Sequence, residues 1–197
     1  MKKLYVLALA ALLAAPTAFA GSMPKGMIAG YVTSVAFDQG GGVDDTGTGF
    51  GVKGWASVNG PFFVHGEYQT VSLDPPGPGK GDLQSLRLGG GIVGEINPQL
   101  MWLAKAEYLD FGSDVDQAGF GVHGGVMFHA SDMLGFGGTL GYLTTDDTDG
   151  LEVNVGGHLA FTQQFAGILD LRNYMGSVDP SGDFDVFEIR VGVAYMF

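Results

Sequence analysis

The sequence predicts an all-β fold: an antiparallel, up-and-down transmembrane β-barrel of ten strands. Eight or twelve strands are the alternatives if one hairpin is divided differently. Three observations carry this. Apolar residues recur at spacing two in segment after segment, which is the period of a strand with one apolar face. Short turns alternate with longer loops rich in Gly, Pro and Asp, as in barrels that cross a membrane. Aromatic residues on the apolar parity collect at two heights, while ionised residues fall on the opposite parity.

The first twenty residues are read as a separate element. Lys2 and Lys3 form a positive start, Leu4 to Ala15 a short apolar run, and Ala18-Phe19-Ala20 a small-x-small cleavage pattern. Residues 1–20 are therefore expected to be a signal peptide, and residues 21–197 the barrel. Removing 1–20 leaves seven Lys and Arg against 21 Asp and Glu, a net charge of −14 where the full chain has −12.

The strands follow in order. The first is predicted at 26–38, ahead of a loop near Val43. The second, 47–58, carries Phe50 outward and Gly49, Gly51, Lys53 and Trp55 inward. Asn59-Gly60 is then the strongest hairpin signal in the chain, because a type I′ turn needs positive φ at both central residues. The third, 61–73, sets Phe62, Val64 and Tyr68 outward against Phe63, His65 and Glu67 inward. A loop near Pro78 leads to the fourth, 83–95, with Leu88 and Ile92 outward and Arg87, Gly89, Gly91 and Glu95 inward. A turn at Asn97-Pro98 leads to the fifth, 100–111, with Trp102 and Tyr108 opposite Lys105 and Glu107.

Beyond a loop near Asp114, the sixth strand, 117–129, alternates Phe120, Val122, Val126 and Phe128 with Gly119, Gly121, His123, Gly125 and His129. A turn at Ser131-Asp132 precedes the seventh, 133–145, whose inward glycines include Gly135, Gly137 and Gly141. A loop near Thr148 separates it from the eighth, 151–161, which carries Glu152, Gly156 and His158 inward. After Gln163-Gln164 the ninth, 165–176, places Leu169 and Leu171 outward and Asp170 and Arg172 inward. A loop near Pro180 opens the tenth, 184–197, where Phe187, Ile189, Val191, Val193, Tyr195 and Phe197 are all apolar at spacing two. Phe120 and Phe128 are eight residues apart. At about 3.4 Å per residue and a tilt near 40°, that is roughly 20 Å of height, close to the band between aromatic girdles.

A Lys or Arg facing lipid at mid-depth costs about 2–4 kcal/mol, so the ionised residues belong in the lumen. The expected network is Lys53, Glu67, Arg87, Lys105, Glu107, Asp170, Arg172, Glu188 and Arg190, with Glu95 and Glu152 on the same parity. A loop centred near position 180 sets Asp170 opposite Arg190 and Arg172 opposite Glu188. Lys53 should lie close to His65 and Glu67. Such a network either fills a narrow lumen or lines a gated pore. Filling is preferred, because small barrels fill their interiors with side chains. The inward glycines leave room for those side chains or for a water path. Trp55 and Phe63 plug the periplasmic end, or a bulge turns them out.

The final strand ends on Val193, Tyr195 and Phe197, apolar at alternate positions with an aromatic last. This resembles the C-terminal signature of small Gram-negative outer-membrane β-barrel proteins, of the OmpA-type and opacity-like class. The resemblance implies the bacterial outer membrane as location, recognition of these three residues by the barrel assembly machinery, and contact with outer-membrane lipid and lipopolysaccharide. Both termini then lie on the periplasmic side. A monomer is expected.

Composition removes other functions. The acidic balance excludes a nucleic-acid binder, which needs Lys and Arg for phosphate. With no cysteine there is no disulfide scaffold or thiolate site. None of His65, His123, His129 and His158 lies in a long loop, so no enzyme is expected. No cofactor is expected either. Fourteen of sixteen Asp lie in or beside the long loops; Asp146, Asp147 and Asp149 resemble part of a calcium loop without its full spacing. Weak Ca²⁺ or Mg²⁺ bridging to lipopolysaccharide phosphates is the expectation there. The leading function is a surface structural or interaction protein, and the alternative is a narrow pore for small solutes or ions.

Overall fold

The computed structural model describes residues 25–38, 44–74, 81–113, 117–178 and 182–197. The expected signal peptide and the loop positions near Val43, Pro78, Asp114 and Pro180 lie outside the described residues. The ten strands are β1 (Gly26–Asp38), β2 (Asp44–Asn59), β3 (Phe62–Asp74), β4 (Gly81–Asn97), β5 (Leu100–Ser113), β6 (Gln117–His129), β7 (Leu134–Thr145), β8 (Thr148–Ala160), β9 (Phe165–Val178) and β10 (Gly182–Met196). Each pairs antiparallel with its sequence neighbours, and β1 pairs with β10 to close the barrel. The seam continues to the last residue: Gly26 N–H donates to the Phe197 carbonyl at 3.0 Å, and Phe197 N–H to the Gly26 carbonyl at 3.1 Å. Closure leaves no strand edge unpaired, which is what a sheet in hydrocarbon requires.

The two faces sort as the period demands. Phe50, Tyr68, Tyr108, Phe120 and Tyr142 face outward near the long-loop end, and Phe62, Trp102, Phe161, Phe165, Tyr195 and Phe197 near the short-turn end. Val64, Leu88, Val122, Val126, Leu140, Val155, Val191 and Val193 are exposed between them. The buried charged side chains Glu67, Arg87, Glu107, Glu152, Arg172, Glu188 and Arg190 are all inside. No helix among the described residues is long and apolar enough to cross a membrane, and the crossing is made by strands.

Two local expectations are corrected. The β2–β3 register pairs Asn59 with Phe62, so Gly60 and Pro61 are the central turn residues. Gly60 has φ of 56°. Pro61 is tied to negative φ by its ring, so this turn has the type II′ pattern and not type I′. The expected long loop near Thr148 is instead a two-residue turn at Asp146-Asp147. Thr148 N–H donates to Thr145 Oγ1 at 3.0 Å, and the Thr145 hydroxyl donates to the Thr148 carbonyl at 3.1 Å. The polar composition of 145–149 serves a tight turn with its own side-chain fastening.

The other short turns use the same device. Asn97 Oδ1 accepts from the N–H groups of Gln99 and Leu100, Ser131 Oγ from Met133 and Leu134, and Thr162 Oγ1 from Gln164 and Phe165. Register shifts occur between Ser57 and Asn59 and between Glu95 and Asn97. The first lies beyond Trp55, which stays opposite His65 and faces the lumen.

Candidate functional site

The lumen has three tiers. At the long-loop end it is apolar. Val35, Val71, Leu109 and Leu143 are buried there, on the inward parity. Above them Phe37, Phe184 and Tyr174 form an aromatic cluster, with ring centroids 5.7 Å apart for Phe37–Phe184 and 5.5 Å for Tyr174–Phe184. This apolar tier was not read from the sequence. Its signal was the apolar residues at the ends of polar-parity rows, such as Val71 after Glu67 and Gln69.

The middle tier is a belt of charge. The expected register holds: Arg190 lies opposite Asp170, and Glu188 opposite Arg172. Long side chains, however, reach across the lumen past these positions. Arg172 grips Glu67 with two bonds, Nη1–Oε1 at 2.9 Å and Nη2–Oε2 at 3.0 Å. Arg190 Nη1 reaches the same carboxylate at 3.1 Å. Lys53 lies opposite Glu67, as the hairpin implies, and its Nζ pairs with Asp170 on β9. Arg87 Nη2 meets Glu152 at 2.8 Å, and its Nη1 meets Glu107 at 3.1 Å. Lys105 Nζ at 2.7 Å and His123 Nε2 at 3.0 Å complete the shell of Glu107. Arg172 Nε lies 3.8 Å from Glu152, linking the Glu67 and Glu107 groups.

The pairs β2–β9, β3–β9, β3–β10 and β4–β8 join walls with two or three strands between them around the ring. The belt contains Lys53, Arg87, Lys105, Arg172 and Arg190 against Glu67, Glu107, Glu152, Glu188 and Asp170, and so is neutral in formal charge. Glu95, on the same parity, is exposed near the short-turn end and stays outside it. Two neutral groups from β1, also unread in the sequence, are built in. The Thr33 hydroxyl donates to Glu188 at 2.8 Å, and the Tyr31 hydroxyl to Gln69 at 2.9 Å. The Arg190 guanidinium sits 5.6 Å from the Tyr31 ring centroid, a cation–π arrangement. β1 presents only uncharged residues inward at these positions, so a search for ionised lumen residues passes over it.

The inward glycines are seats for these side chains. A Cβ on Gly51 would meet the Tyr31 ring, one on Gly141 the His123 imidazole, one on Gly89 His65, one on Gly91 Phe63 and one on Gly156 the Asp170 carboxylate. The bare wall is thus covered by side chains from neighbouring strands.

Below the belt, at the short-turn end, lies a chamber of about 230 Å³ lined by Lys53, Trp55, Met127, His129, His158 and Met196 among others. The four histidines divide between tiers. His65 and His123 contact Glu107, and His129 and His158 face the chamber. Among the described residues, the group of three carboxylate or imidazole ligands that converges is Glu107, His123 and Glu152. Arg87 and Lys105 already supply positive charge there. Of the three aspartates near the β7–β8 turn, Asp146 accepts from Ala118 N–H and Asp147 from the Gln117 amide. Asp149 lines an outer recess with Asp38, Asp183 and Asp185.

A sealed ring of strands, greasy outside and ionised within, is decisive for the fold. The chain is an outer-membrane β-barrel by fold. Solved structures agree. An outer-membrane channel from Pseudomonas putida F1 matches with a TM-score of 0.59 at 9% identity, over 90% of this chain and 97% of that one. Neisserial surface protein A matches with a TM-score of 0.51 at 12% identity, over 90% and 100%. The outer-membrane protease OmpT from Escherichia coli matches with a TM-score of 0.51 at 9% identity, over 92% and 100%. No protein-family model and no curated protein sequence matches the chain.

Proposed function

We propose that this barrel is a surface structural or interaction protein of the OmpA-type class, with a packed lumen that displays acidic loops. Barrels of the same fold include one described as a channel, one as a surface protein and one as a protease. Fold therefore leaves the choice to the interior. The observation that carries the packed reading is the belt: its ion pairs tie opposite walls, and the apolar tier of Val35, Val71, Leu109 and Leu143 lies directly above it. An ion crossing the barrel would have to part both. No catalytic role is proposed, since the histidines are spent on the belt and the chamber. Val193, Tyr195 and Phe197, which face outward on the closing strand, are proposed as the assembly signal.

Planar-bilayer conductance tests the reading. The purified barrel should insert and give no steady single-channel steps. Steps in the wild-type protein that change size in Arg190→Ala or Lys105→Ala would overturn it in favour of the second reading, a narrow pore. That reading draws on the chamber beneath the belt and its glycine wall, which supply half of a path.

A further inference from the structure

The short-turn end of the lumen has a chemistry that the belt does not use. Five of the eight methionines lie at this end: Met27, Met101, Met127, Met133 and Met196. Met27 and Met196 are paired across the β1–β10 seam, and Met101 and Met127 across β5–β6. Thioethers thus enter from opposite walls. His129 on β6 and His158 on β8 are both register partners of Gly135. With no side chain on β7 between them, their rings approach to 6.3 Å between centroids. A Cβ at Gly135 would stand 3.1 Å from His158 Nδ1, so the glycine is what lets the two imidazoles share a space.

That space is the chamber of about 230 Å³, and Met27, Met127, Met196, His129 and His158 all line it. Methionine often serves as flexible filler, and Met27 and Met196 do pack against the cluster of Ala29, Ile168 and Ala194, yet with Met127 they also border the cavity together with two imidazoles. Among the described residues, the charges on the lining are Lys53 and Asp170, and they are paired with each other. The other polar groups on it include the neutral Thr139 hydroxyl and Asn154 amide, and the soft donors are the imidazoles and thioethers. Hard cations such as Ca²⁺ and Mg²⁺ require oxygen, whereas thioether and imidazole together suit a soft monovalent cation.

We propose that the periplasmic chamber binds one soft monovalent metal ion, Cu(I) or Ag(I), through the imidazoles of His129 and His158 together with thioethers drawn from Met27, Met127 and Met196. A metal on these groups would sit beside the Lys53–Asp170 pair without using either residue, and its binding can be read whether or not the barrel conducts.

The test uses the tag-free barrel folded in detergent micelles, in chloride-free buffer, with Ag(I) as a redox-inert probe. Equilibrium dialysis should find one Ag(I) per chain at micromolar free metal, and Zn(II) and Ca(II) should not compete. The pairs His129→Gln with His158→Gln, and Met127→Leu with Met196→Leu, should each weaken binding at least tenfold. Met175→Leu, on the outer face, should leave it unchanged. A measurement on the wild-type chain guards against variants that fail to fold. With methyl-labelled methionine, Ag(I) should shift the Met27, Met127 and Met196 signals and leave Met175 in place. No bound silver at micromolar concentration, equal binding in the paired variants, displacement by Zn(II), or unshifted chamber methyls would each overturn the proposal. Cu(I), supplied against a competing chelator, should reproduce the silver result if copper is the ion.

Discussion

Glu67 shows how much one side chain holds in this interior. It accepts from both Arg172 and Arg190, so two guanidinium charges depend on a single carboxylate. Removing one member of a buried pair leaves the partners desolvated and unmatched, which costs about 3–5 kcal/mol. Glu67→Ala should lower unfolding stability by that amount in a urea titration followed by tryptophan fluorescence. Replacing the Glu67–Arg172 pair together by Leu and Met should cost less than Glu67→Ala alone, because no orphaned charge remains. The glycine seats are the complementary case. A Cβ at Gly51 would meet the Tyr31 Cζ and hydroxyl oxygen at 2.5 Å. Gly51→Ala should therefore displace the Tyr31 ring and loosen its bond to Gln69, at about 1–3 kcal/mol for overpacking, readable in the same titration.

Among the elements, the hairpins set the registers on which the belt depends. Each strand alternates faces with period two, so a slip of one residue would turn every charge into lipid. The β2–β3 turn guards against this with Gly60, whose φ of 56° excludes branched side chains in practice. Gly60→Val should cost about 1–2 kcal/mol from left-handed strain. It should also slow folding into vesicles, followed as the heat-dependent mobility shift on gels; an unchanged rate and stability would mean the turn does not set the register. Thr145 plays the corresponding part at the β7–β8 turn through its hydroxyl.

The whole molecule is an inside-out protein. Its stability requires lipid outside and ionic pairing within, and a charge on the wrong face is the direct check. Val122 on β6 is exposed on the outer face, beside His123, which is buried within. Val122→Arg should destabilise the barrel in lipid by about 2–4 kcal/mol, measured by reversible unfolding from vesicles. A neutral result would place Val122 away from hydrocarbon.

Much of this was legible because strand period and lipid solvation act residue by residue. The alternation through Phe187, Ile189, Val191 and Val193 requires only local backbone geometry, and the exclusion of Arg190 from lipid requires only its charge. The strand order, the closed ring, both aromatic girdles and the Asp170–Arg190 register follow from such local rules. The partners of Lys53 and Arg190 do not, because a lysine or arginine reaches about as far as a narrow lumen is wide, and which carboxylate it meets depends on the curvature of the closed sheet. The aromatic cluster of Phe37, Tyr174 and Phe184, the seating of Tyr31 on Gly51, and the meeting of His129 with His158 over Gly135 belong to the same class. Sequence alone determined which face each side chain takes. Only tertiary closure decided which side chains meet across the axis, because those contacts join residues that no local spacing relates.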